Sequence, residues 1–285
     1  MAPRTDFPPV RACLFDMDGL LLDTEDIYTD CINVILREHS QTRTELSWEI
    51  KAKLQGRPGP AATEILLEWA GLKLTADEYK ARIVALHEER FPTTKPLPGV
   101  RELLANLIKT QGHGIDGSAQ DKATKPVHIA LATSSHLANF KLKTDHLTDL
   151  FSVFPDHRRV LGDDARLAHG RGKPLPDIFL LALDVINASL PEGEEPIKPE
   201  ECLVFEDSVP GVEAGRRAGM RVIWCPHKEL KKLYAGREAE VLAGRMGEAG
   251  EVDMHQVGEL DDGWGEYLAS LEDFPYEKYG IVVPQ

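Results

Sequence analysis

In Asp16-Met17-Asp18-Gly19 two carboxylates stand two residues apart, directly after the apolar run Val10–Phe15. On an extended chain that spacing points both side chains the same way. A carboxylate is already ionised at neutral pH. One of the pair can attack phosphorus while its neighbour gives and takes a proton. Gly19 permits a tight backbone path after the pair. The same four residues would also serve as a turn or a helix N-terminal cluster, and alone they do not choose. Thr133 and Ser134 end a second apolar run. Their hydroxyls and backbone N–H groups suit a phosphoryl oxygen, and equally suit helix capping. Lys173 lies in Gly170-Arg171-Gly172-Lys173-Pro174. A fixed cation there could hold a nucleophile and a phosphoryl oxygen together and stabilise transition-state charge. The segment is not a P-loop, because no Ser or Thr follows the lysine. Glu206 and Asp207 follow a third apolar run. Asp207 is the better metal ligand, with Glu206 beside it or acting through water. The competing role is capping of a helix that starts near Pro210, with Asp207 or Ser208 as the N-cap.

Brought together, Asp16, Asp18, Glu206 and Asp207 would repel one another unless a cation joined them. Hard oxygen donors with room for water suit Mg²⁺. The whole chain sharpens that need, since its formal net charge is −14. Such a chain repels nucleic acid and anionic membrane, so neither is an expected partner. It also repels a phosphorylated substrate at long range, and a cation or local basic site must receive one.

The elements that would position these groups follow from the apolar pattern. Val10–Phe15, Val127–Ala132, Cys202–Phe205 and Arg221–Cys225 read as short buried strands. Helical runs separate the later ones, at Asp177–Ile186 and Gly211–Ala218. Between Glu25 and Pro92 no strand-like run occurs. Ile27, Cys31, Val34 and Ile35 share one helix face, Ile65, Leu66, Trp69 and Ala70 a second, and Tyr79, Ile83, Leu86 and His87 a third. The expected fold class is therefore α/β: a Rossmann-like parallel sheet core with an inserted, mainly helical cap. The core comprises 1–22 plus 96–285 and the cap 23–95, with hinges at Leu22–Thr24 and Pro92–Pro98. Ligands of open parallel sheets bind beyond the carboxyl ends of the strands, where the polar clusters stand. Gly112–Lys125 reads as an exposed loop. The four cysteines lack any CxxC pair and read as structural thiols of a reducing compartment, so a cytoplasmic protein is expected. No apolar run approaches the roughly 20 residues of a membrane span, and nothing reads as a secretory signal. No heptad pattern argues for an obligate assembly, and a monomer is expected.

The order DMDGLLLDTE, ATSS, GKPLPDIF, FEDSVPGVEAG resembles the haloacid dehalogenase (HAD) superfamily of phosphatases. The helical insert resembles that superfamily's cap of the first type. VLGDDARLAHGRGKPLPDIF, ECLVFEDSVPGVEAGRRAGM and LEDFPYEKYGI are most similar to its pseudouridine-5′-phosphatase-like group. The resemblance implies roles position by position. Asp16 matches the nucleophile, Asp18 the general acid/base and Thr133 the phosphate-binding hydroxyl, with Ser134 beside it. Lys173 matches the lysine of the third motif, and Asp207 with Glu206 the acidic pair of the fourth. Mg²⁺ would be held by Asp16, the Asp18 backbone carbonyl and Asp207. Arg57, on a cap loop, would touch substrate. The implied activity is Mg²⁺-dependent hydrolysis of a small phosphorylated metabolite through an aspartyl phosphate. The metabolite would be a sugar phosphate or a nucleoside-type monophosphate such as pseudouridine 5′-phosphate. A sugar phosphomutase would share every motif. A non-catalytic metabolite-binding protein would need a broken motif, and none is broken here. Gly170-Arg171 departs from a plain HGKP pattern in a way that could displace Lys173, the polar loop Gly112–Lys125 is longer than the group usually shows, and the acidic, Gly-rich segment Glu238–Gly265 is unlike the group.

Overall fold

The computed structural model describes residues 3–57, 59–111, 126–168, 171–246 and 257–284. Six parallel strands form one sheet: β1 (Ala12–Phe15), β2 (His128–Ala132), β3 (Arg159–Val160), β4 (Cys202–Glu206), β5 (Arg221–Trp224) and β6 (Gly265–Tyr267). Their order is β3-β2-β1-β4-β5-β6, so β1 is central and the winding reverses between β1 and β4. That reversal opens a crevice at the carboxyl ends of these two strands.

Strands β1, β2, β4 and β5 are buried along their whole length, as expected of a sheet covered on both faces. Side chains alternate between two apolar layers. Cys13, Phe15, Ile129, Leu131, Leu203 and Phe205 pack on one side with Leu103 and Leu107 of α5 (Val100–Lys109). Ala12, Leu14, Ala130, Val204 and Val222 pack on the other with Phe179 and Ile186 of α8 (Asp177–Asn187) and Val212 of α9 (Val209–Arg217). Between β2 and β3 run α6 (Leu137–Thr144) and α7 (Thr148–Phe151); α10 (Lys228–Leu233) and α11 (Glu238–Leu242) follow β5.

Four helices lie between β1 and α5: α1 (Glu25–His39), α2 (Trp48–Leu54), α3 (Gly59–Ala70) and α4 (Ala76–Arg90). They enclose a third apolar cluster of their own, including Cys31, Ile35, Leu66, Ala70, Tyr79, Ile83 and Leu86. Helix α4 starts on a Thr75–Glu78 capping box, which closes two otherwise unpaired N–H groups.

The four strands read from the sequence are present, trimmed at their ends, and β4 runs one residue further to Glu206. β3 and β6 are additional. β3 is two residues long and β6 (Gly-Glu-Tyr) is part-exposed on the sheet edge, so neither carries an apolar signature. The 238–265 segment contributes α11 at its start and β6 at its end. The expected loop 112–125 lies outside the described residues. Cys13, Cys31, Cys202 and Cys225 are all free. Burial pushes the Cys31 thiol up to about 11 and the Cys225 thiol up to about 12, so both stay protonated at neutral pH. Among the described residues no helix is long and apolar enough to cross a membrane.

Candidate active site

Parallel pairing sets Phe15 opposite both Leu131 and Phe205. The next residue of each strand, Asp16, Ala132 and Glu206, therefore lies level at the carboxyl edge. Asp16 is tied there by its N–H, which donates to the Phe205 carbonyl at 3.1 Å. Lys173 enters from the loop before α8, and its Nζ is wholly buried. It donates to Asp16 Oδ1 and to the Ala132 carbonyl at 3.1 Å, and pairs with Glu206 Oε1 at 2.6 Å. The Gly170-Arg171 departure does not keep Lys173 from this cluster.

Glu206 Oε2 accepts from the N–H and hydroxyl of Ser208 at 3.1 and 3.0 Å. Both of its oxygens are thus engaged by Lys173 and Ser208. Ser208, not Asp207, is the N-cap of α9, accepting from the Gly211 N–H at 3.1 Å. Asp207 is left to face the other carboxylates. Two glycines make the crowding possible. A Cβ on Gly211 would lie 1.9 Å from the Glu206 carboxylate, and one on Gly19 2.3 Å from Asp207 Oδ2. Gly19 also has φ +75°, a region that L side chains rarely adopt.

One oxygen each of Asp16, Glu206 and Asp207 lies within 4.8 Å of the others, and all three residues are buried. Were all three ionised, the Lys173 ammonium would leave two negative charges uncompensated in a buried place. Burial, aided by Glu206 and Asp18, lifts the Asp16 carboxyl to about 7 against the pull of Lys173. Burial and the neighbouring Glu25, Glu206 and Asp16 carboxylates push Asp207 well above the usual range. The donor set, all carboxylate oxygen with a residual charge of two, fits a hard divalent cation.

Asp18 has a different environment. Burial would raise its pKa, but the Lys143 ammonium at 2.5 Å and the Ser135 hydroxyl at 2.6 Å hold it below the usual range. Thr133 is buried at the tip of β2, its N–H on the Val160 carbonyl and its Oγ1 accepting from the Ser135 N–H at 3.1 Å. Ser134 donates to the Gly56 carbonyl at 2.9 Å, a bond to the helical block. Arg57 is half-buried, and its Nε donates back to Lys53 O at 2.7 Å. Two other residues of that loop contact the strand tips: Gly56, and Gln55, whose Nε2 donates to Asp207 Oδ2 at 3.1 Å.

Gln55, Glu25, Lys51 and Lys143 were not legible as site residues. Lys51 is buried and pairs with Glu25 Oε2 at 3.1 Å, and the Glu25 side chain shares with Asp207 the space that a Cβ on Gly19 would enter. For Lys143 a signal existed. It stands three residues after Phe140 on the buried face of α6, a lysine where the helix faces the interior.

A family model for haloacid dehalogenase-like hydrolases matches residues 10–219. A Saccharomyces cerevisiae protein described as a "probable pseudouridine-5′-phosphatase" is 41% identical over 272 residues, covering 95% of this chain and 98% of its own. The (DL)-glycerol-3-phosphatase 1 of Arabidopsis thaliana is 36% identical over 235 residues, 82% of this chain and 70% of its own. Among solved structures, a family IA, variant 3 HAD hydrolase from Entamoeba histolytica superposes with a TM-score of 0.64 at 17% identity, over 95% of this chain and 97% of its own.

Proposed function

The chain belongs to the haloacid dehalogenase-like hydrolases, and we propose that it is a Mg²⁺-dependent phosphatase of a small phosphorylated metabolite that works through a phosphorylated Asp16. The observation that carries this reading is the engagement of one buried lysine by Asp16, Glu206 and the Ala132 carbonyl, with Asp207 alongside. Such a constellation presents a carboxylate nucleophile next to fixed positive charge, where an anionic phosphoryl group can be received.

In the first half-reaction an Asp16 oxygen attacks phosphorus, the P–O bond to the leaving group breaks, and Asp18, which takes up a proton when the phosphoryl dianion enters beside it, gives that proton to the leaving oxygen. In the second, water attacks the acyl phosphate, its proton passes to Asp18, and Asp16 is regenerated as phosphate departs. Lys173 holds Asp16 in place and offsets charge on the phosphoryl oxygens, and Glu206 anchors Lys173. Thr133 offers a hydroxyl at the neighbouring strand tip, and Ser134 would offer its own proton on leaving the Gly56 carbonyl. Mg²⁺, held by Asp16, the Asp18 carbonyl and Asp207, would supply positive charge for the same oxygens. The two named relatives are phosphatases, which favours hydrolysis over a mutase and makes pseudouridine 5′-phosphate and glycerol 3-phosphate the first substrates to try. Arg57, whose Nε is on the Lys53 carbonyl, would contribute to substrate binding through its terminal N–H groups.

Phosphate release from those two esters, with MgCl₂ or with EDTA, tests the reading. Asp16→Asn should lose roughly 10⁴-fold or more of the wild-type rate, and EDTA should abolish turnover until Mg²⁺ is restored. Undiminished release by Asp16→Asn rejects the nucleophile, and an isomer in place of free phosphate rejects hydrolysis.

A further inference from the structure

Lys143 has a setting that packing does not explain. Its side chain is wholly buried at the end of α6. A buried ammonium carries a desolvation cost that an apolar side chain of similar volume avoids, so the fold alone does not call for lysine here. Its Nζ donates three hydrogen bonds, the full complement of an ammonium: to Asp18 Oδ1 at 2.5 Å, to the Tyr28 hydroxyl at 2.6 Å and to Ser135 Oγ at 2.8 Å. The rings of Tyr28 and Phe91 flank it at 4.7 and 4.6 Å. His87 stacks on Phe91 with centroids 4.2 Å apart and meets Tyr28 edge-on at 5.3 Å. Ser135 in turn donates to the second Asp18 oxygen at 2.6 Å. Both oxygens of Asp18 are thus held, one by a cation that cannot move without leaving an aromatic box. The walls of that box come from α1, α4 and the turn after it, whereas Lys143 and Ser135 follow β2.

We infer that Lys143 is a positioning residue for Asp18: seated between Tyr28 and Phe91, and with Ser135, it fixes the orientation of the Asp18 carboxylate at the strand tip. Because Tyr28 belongs to the helical block, the carboxylate is oriented only while that block is seated against the sheet. The inference rests on the phosphatase reading, in which Asp18 protonates the leaving oxygen. A misdirected acid should matter most when the leaving group is a poor one.

The test is a series of phosphate monoesters running from alkyl alcohols to nitrophenols, assayed for kcat/KM with wild type and Lys143→Met. The expected result is a loss of roughly 100-fold with alkyl phosphates and under about 5-fold with 4-nitrophenyl phosphate, the span of general acid catalysis. Log kcat/KM then falls more steeply with leaving-group pKa than in wild type. An equal loss across the series, or a shallower slope, overturns the inference, since a lysine needed only for folding lowers every rate alike. Should Lys143→Met not fold, Ser135→Ala and Tyr28→Phe keep the lysine and each should steepen the slope to a smaller extent; unchanged slopes in both are equally fatal to it. If wild type hydrolyses none of the esters, the phosphatase reading fails and takes this inference with it. A wild type that turns over beside a variant of unchanged slope removes the inference alone.

Discussion

At the scale of single residues, the site is built as much by missing side chains as by present ones. A methyl group at Gly211 would overlap the Glu206 carboxylate, which must then release Lys173 or Ser208. Gly211→Ala is expected to lower kcat by roughly 10- to 100-fold, the scale of an ångström-sized misplacement. Gly59→Ala, with nothing within 4 Å of the new atom, should leave it unchanged. Steady-state kinetics of the two variants check this. A second outcome concerns His87. Burial, then the Lys143 ammonium, push its pKa down from 6.5 to about 4, with Asp18 opposing. Between those values the unfolded chain binds the proton and the folded chain does not. Its contribution is therefore complete above pH 6.5 and is lost as pH falls toward 4, roughly 3 kcal/mol in all. Denaturant unfolding of His87→Phe, which keeps a ring but takes no proton, should show a weaker fall in stability over that window; an identical fall would assign it to other groups. Asp16, Lys173 and Asp207 were legible because each sits next to an apolar run or a proline turn. For Lys143 only its buried place on α6 was a signal, and for Gln55 there was none, since what each does depends on partners far away in the chain: Asp18 and Tyr28 for Lys143, Asp207 for Gln55.

At the scale of elements, the strands that carry the candidate site residues were also those with the plainest signature. β1, β2 and β4 are buried on both faces, so their sequences are continuously apolar up to the first catalytic candidate. β3 and β6 pair only at the edges of the sheet, where burial imposes little on the sequence. Helix α2 was hidden for a different reason. Its apolar residues divide between two clusters: Trp48 and Ala52 pack on the sheet-side layer with Lys51 Nζ over the Trp48 ring at 4.6 Å, whereas Ile50 and Leu54 pack on the cluster of the helical block. No single apolar stripe results. The turn after α2 brings Gln55 to Asp207, and loss of that bond should weaken the seating of the helical block. Gln55→Ala is expected to lower kcat/KM about 10-fold, the worth of one hydrogen bond to a charged group. Full activity in that variant would mean that the contact is incidental to turnover.

At the scale of the molecule, two apolar layers serve the sheet and a third serves the helical block. We propose that 23–95 moves as one cap on the linkers at 22–24 and 92–98. Gln55, Gly56 and Tyr28 would then be the groups through which its position is felt at the strand tips. A net charge of −14 surrounds a site meant for an anion, so the local balance must be reversed there. Lys173 and a divalent cation do this in the proposed mechanism, and Lys143 is spent on Asp18. The central claim is that Asp16 itself carries the phosphoryl group. It is tested most directly with Asp18→Asn, in which activation of the attacking water is impaired. The variant is mixed with 4-nitrophenyl phosphate and Mg²⁺, quenched in acid, and digested for mass spectrometry. The account predicts one phosphoryl group, labile to hydroxylamine, on Asp16 of the peptide spanning β1. A phosphoryl group on any other residue, or an unmodified Asp16 in enzyme caught during turnover, would contradict it.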